Sequence, residues 1–127
     1  MHPTNIVVID SAQLPADVDF PLLQAAKYRW MQYPRVAPAD FIDICSRADV
    51  LLSLATPLSA ALLDELPRLK ALIAPPGVAT ACDRQALAQR GIALAATAAG
   101  LENAVAFCRE TVDAIEAYIA DHGTSPR

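Results

Sequence analysis

Five short apolar runs recur along the chain, each closed by polar residues or proline. Asn5-Ile6-Val7-Val8-Ile9-Asp10 is β-branched through its middle, which suits a central parallel strand buried on both faces. Tyr28-Arg29-Trp30-Met31-Gln32-Tyr33 alternates aromatic and polar character, as a half-exposed edge strand does, and Pro34 ends it. Asp49 to Leu54, Lys70 to Ala74 and Ile92 to Ala96 predict three further strands.

Between the runs the apolar period lengthens to that of a helix. Pro21 opens a short helix through about Ala26, with Asp19 as its cap. Pro38 opens another, whose inward stripe is Phe41, Ile42, Cys45 and Ala48. Ser59 is placed to cap Ala60 to Leu66, which stops at Pro67. Asp83 to Arg90 predicts a helix stopped by Gly91. Strands alternating with helices, joined by right-handed crossovers, predict one α/β domain. It is a doubly wound, flavodoxin-like parallel sheet of five strands in the order 2-1-3-4-5. The domain fills residues 1–127: a core over 5–100, a long C-terminal helix over 101–121 and a frayed tail over 122–127.

The last helix has an apolar seam of Leu101, Val105, Cys108, Val112, Ile115 and Ile119, spaced by alternating steps of four and three. Glu102, Arg109, Glu110, Asp113 and Glu116 lie off it. Such a seam packs either across its own sheet or, in part, against a second subunit or another protein. A helix of about 20 residues spans roughly 30 Å, more than one face of so small a sheet needs. That length points to a homodimer through this helix.

Composition narrows the class. The chain has 127 residues, enough for one core, and is 54% hydrophobic but only 6% aromatic, so that core must be aliphatic and alanine-rich. A net charge of −4 gives no basic footprint for phosphate backbones, so nucleic acid is not an expected partner. Cys45, Cys82 and Cys108 have no CxxC spacing and read as buried, reduced thiols of a cytoplasmic protein. His2 and His122 lie near opposite ends, so no metal cluster is expected. The apolar runs are too short to cross a membrane, and Met1 to Asn5 lacks the features of a signal peptide.

Candidate chemistry converges on the stretch after the fourth strand. Pro75-Pro76-Gly77-Val78-Ala79 reads as a rigid turn at a strand's carboxyl end, the edge of an open α/β sheet where ligands bind. Asp10, Ser11, Ala55 and Thr56 end other strands at the same rim, although such residues also serve as ordinary turn residues. Asp83 and Ser59 read as caps rather than catalysts, and Cys82 lies beside the turn.

Taken in order, several segments resemble the N-terminal substrate (catalytic) domain of the D-isomer-specific 2-hydroxyacid dehydrogenase family. They are Ala48-Asp49-Val50-Leu51-Leu52, Thr56-Pro57-Leu58, Leu66-Pro67-Arg68-Leu69-Lys70, Ile73, Gly77-Val78, Asp83, Ala88 to Leu94, and Glu102-Asn103-Ala104-Val105-Ala106. The resemblance implies an NAD-dependent oxidoreductase lineage in which a Rossmann domain follows, carrying the phosphate loop and the catalytic Arg, acidic residue and His. With glycines only at 77, 91, 100 and 123, a GxGxxG loop is impossible within these residues. His122 falls in the tail and does not match the family's histidine. The resemblance therefore implies no catalytic residue and no cofactor held by this stretch, NAD being bound by the other domain.

The family's Gly-Val-Gly turn offers backbone amides to the substrate carboxylate. Here Gly77, Val78 and Ala79 stand there, with Ala79 in place of the second glycine. Their amides remain able to cradle a small carboxylate, although Ala79 resists a positive φ. The leading expectation is thus a stand-alone, non-catalytic substrate domain that binds a small carboxylate or self-associates. A second is the substrate half of a dehydrogenase completed by a separate coenzyme-domain protein. A third is a truncated remnant, against which the apolar seam argues.

Overall fold

The β-branched run at the start of the chain does become the middle of a sheet. A computed structural model describes residues 4–18, 20 and 28–119. The helix expected after Pro21, its Asp19 cap and the tail over 122–127 lie outside the described residues. The strands are β1 (Thr4–Ile9), β2 (Tyr28–Tyr33), β3 (Val50–Ser53), β4 (Ala71–Ala74) and β5 (Ala93–Ala96). They form one sheet in the order β2-β1-β3-β4-β5, and every neighbouring pair is parallel. Ile6 stands opposite Val50, Val50 opposite Ala71 and Ala71 opposite Ala93, so one register line crosses four strands.

The helices are α1 (Phe41–Cys45), α2 (Ala60–Asp64), α3 (Pro76–Ala81), α4 (Arg84–Gln89) and α5 (Ala104–Tyr118). Alternation along the strands divides the core in two. Ile6, Val8, Val50, Leu52 and Ile73 pack with Phe107, Val112 and Ile115 of α5. Val7, Ile9, Leu51 and Leu72 pack with Phe41 and Cys45 of α1, Leu63 of α2 and Leu87 of α4. Both faces of the central strands are therefore covered, which is why they read as unbroken apolar runs.

Local chemistry sets the helix ends. Ser59 Oγ accepts from the Leu62 amide at 3.4 Å, and Asp83 Oδ1 from the Ala86 amide at 3.0 Å, each capping the helix that follows. Gly91, at φ 69°, ends α4. Its amide donates to Ala88 O and the Ile92 amide to Leu87 O, the paired bonds of a Schellman ending.

The edge strand β2 is half-exposed as expected, with Tyr28 and Trp30 packing on the α5 side and Met31 and Tyr33 on the other. One expectation changes. The seam of the last helix is not a free surface. Cys108, Val112, Ile115 and Ile119 are buried in the chain's own core, while Val105 is 59% exposed. The inward stripe runs instead through Ala104, Phe107, Cys108, Thr111, Val112 and Ile115, since 3.6 residues per turn draw Phe107 and Thr111 inward and turn Val105 out. The first turn, Leu101–Asn103, is 3-10 rather than α. Among the described residues no helix is long and apolar enough to cross a membrane.

Candidate functional site

At the carboxyl ends of β4 and β5 the chain forms the two walls of a cleft of about 380 Å3. Leu54, just beyond β3, lies at its base. Pro75 to Val78 make one wall, and Ala98 with Gly100 to Glu102 make the other.

The first wall differs from the turn expected of it. Pro75 is the extended N-cap of α3, and Pro76 is its first residue. Proline suits that position because its missing N–H would have no intrahelical partner. A Pro-Pro-Gly sequence that reads as a turn is thus the opening of a helix. Gly91 alone of the described glycines has a positive φ, so neither Gly77 nor Ala79 adopts the left-handed geometry of an amide nest. The Ala79 amide donates to Pro75 O at 2.9 Å, and Ala79 is buried, so it is not available to a ligand. The Gly77 and Val78 amides are left; at the second and third helical positions they have no intrahelical acceptor.

The second wall is short and made of small residues. Glu102 Oε2 accepts from the Gly100 amide at 3.3 Å. Glu102 is the one charged residue that lines the cleft among the described residues. A bound carboxylate would thus meet amide dipoles and apolar surface, opposite one like charge. Sequence reasoning did not place Leu54, Ala98, Gly100, Leu101 or Glu102 at a ligand site. The available signal was the rule already applied to the fourth strand, since residues 97–100 follow the fifth.

The weaker rim candidates form a separate cluster. Asp10 closes β1 at φ 66°, and Thr56 Oγ1 donates to its Oδ2 at 2.8 Å, tying the ends of β1 and β3 together. Ser53 Oγ donates to Thr56 O at 2.6 Å and accepts from the Thr56 amide at 3.1 Å. Pro76 lines the cleft; Asp10, Ala55 and Thr56 do not. Beneath them Cys45 is fully buried, and burial, with the Asp10 carboxylate second, pushes its thiol up to about 12. That thiol is no nucleophile at neutral pH. Cys82 is also buried and accepts from the Leu58 amide at 3.3 Å. Among the described residues no three His, Cys, Asp or Glu side chains gather to hold a metal.

No family model and no curated protein matches this sequence. Solved structures do match it in fold. The crystal structure of NAD+-bound 3-phosphoglycerate dehydrogenase from Entamoeba histolytica superposes with a TM-score of 0.56 at 17% identity, over 75% of this chain and 33% of that one. The apo structure of D-lactate dehydrogenase from Escherichia coli gives a TM-score of 0.54 at 9% identity, over 76% of this chain and 31% of its own. Both are D-2-hydroxyacid dehydrogenases, and the chain spans about a third of their length. At such identities the likeness is one of fold.

Proposed function

We propose that these residues form a substrate-type domain of the D-2-hydroxyacid dehydrogenase kind that binds a small carboxylate and does not itself transfer hydride. The observation that carries this reading is the cleft at the carboxyl ends of β4 and β5, with the Gly77 and Val78 amides at one wall. Its apolar base and walls suit a ligand with a short aliphatic body. A homodimer through α5 has less support, because of the expected interface residues all but Leu101 and Val105 are buried in the chain's own core.

The test is thermal unfolding against 2-oxo and 2-hydroxy acids, each with and without NADH. An acid at 100 times its dissociation constant stabilises the native state by about 2.7 kcal/mol, a rise of several degrees for a domain of this size. No rise with any acid overturns the reading. A second reading is the substrate half of a dehydrogenase that works with a coenzyme domain supplied by another chain; in its support, the fold matches about a third of each of two solved dehydrogenases. It predicts NADH-dependent reduction of a 2-oxo acid only when that second protein is added.

A further inference from the structure

The wall that follows β5 is anchored at its start, where buried Thr97 donates its amide to Ala74 O at 3.1 Å, and Ala99 touches the core. Ala98 and Gly100 have no side chain that could hold them. Thr97-Ala98-Ala99-Gly100 offers one hydroxyl and otherwise small side chains or none. Such a stretch loses much backbone freedom on ordering and gains little packing in return. Its last three amides are nonetheless all bonded to carboxylates. Glu110 Oε1 accepts from the Ala98 amide at 2.7 Å and from the Ala99 amide at 3.2 Å, and Glu102 takes the Gly100 amide. Thr97 Oγ1 adds a bond to Ala99 O at 2.7 Å. Thr97 and Glu102 act within two residues of themselves, whereas Glu110 reaches back eleven and twelve residues from α5.

We propose that Glu110 is a positioning residue for the cleft, a role that rests on the carboxylate-binding reading above. Two neighbouring amides converging on one oxygen fix the direction of both peptide planes, which a single bond would leave free to rotate. Bonds to a charged acceptor are also roughly twice as strong as neutral ones. Glu110 is delivered from a rigid element, since Phe107 and Thr111 on either side of it are fully buried. Through this contact the backbone wall at Ala98 is held at the spacing from Val78 that the cleft requires, and any shift of α5 is passed to the cleft.

The test compares wild type, Glu110→Ala and Glu110→Gln by titration with glyoxylate, glycolate, pyruvate and D-lactate, together with amide exchange at Ala98 and Ala99 measured by NMR. Glu110→Ala is expected to speed exchange at both amides. It should also weaken whichever of the four acids stabilises wild type by roughly ten- to a hundredfold. Glu110→Gln keeps an acceptor oxygen, so affinity should stay within about threefold of wild type. Faster exchange with unchanged affinity in Glu110→Ala overturns the positioning role and leaves the carboxylate reading standing. Unchanged exchange overturns it as well, and so does a loss that Glu110→Gln fails to rescue. If none of the four acids stabilises wild type, the carboxylate reading falls and the role of Glu110 falls with it.

Discussion

Gly77 is where the local geometry of the cleft is decided. In an amide nest a glycine is needed for its positive φ; in the first turn of a helix it is merely a weak helix former. Here it is helical, and a Cβ built on it meets no atom within 4 Å. Gly77→Ala is therefore expected to raise stability by about 0.5–1 kcal/mol, read from the urea midpoint. A loss of stability instead would mean a strained turn at this position. Cys45 gives a second test, of burial. Its thiol ionises near 9 in the unfolded chain but is pushed to about 12 in the fold. The folded state thus holds the proton more tightly, so this contribution is intact below pH 9 and is lost as pH rises toward 12. At pH 10 the loss is on the order of 1 kcal/mol. Urea unfolding at pH 8 and 10 should show wild type losing that much more than Cys45→Ala, and equal losses would remove Cys45 as the source.

Among the elements, α5 shows how far a pattern of apolar residues reaches. Its steps of four and three are genuine, but a seam drawn through the aliphatic residues alone leaves out Phe107 and Thr111. Phe107 is fully buried in the core cluster on that face of the sheet, and buried Thr111 is polar by type, so letters alone gave no reason to turn it inward. Only the packing direction separates Val105, at the rim of the stripe, from Val112 in its centre. Phe107→Ala is expected to cost about 3–5 kcal/mol, by lost transfer energy and the cavity left behind. Val105→Ala should stay within about 0.5 kcal/mol of wild type. Chemical denaturation of both variants checks the ranking, and a large cost at Val105 would mean that its exposed face is covered in solution. The caps at Ser59 and Asp83 and the stop at Gly91 were legible because each rests on one side chain or one φ. The opening of α3 was not, because Pro75-Pro76-Gly77 satisfies turn and helix rules equally, and only the bond from the Ala79 amide to Pro75 O separates them.

At the scale of the whole molecule, strand order could be inferred from alternation and handedness, and the solved dehydrogenases share the resulting fold. The edge of the sheet that carries the cleft was also legible, since strand direction dictates it. The second wall was not, because it depends on Glu102 and Glu110, which in sequence look like solvated charges on a helix. The same edge bears on cofactor binding. A dinucleotide pyrophosphate needs a glycine-rich turn after the first strand leading to a helix N-terminus. Here the turn after β1 begins with Asp10, whose carboxylate is held at the rim by Thr56, and passes into a 3-10 segment at Ser11–Gln13. A phosphate placed there would face a negative charge and find no glycine. NADH alone is therefore expected to leave the unfolding temperature of this chain unchanged, while a bound small acid raises it. Calorimetric titration checks the same point directly. Measurable heat of NADH binding would overturn this expectation, and stronger binding in Asp10→Lys would then place the phosphates at the β1 rim, whereas unchanged binding would place them elsewhere.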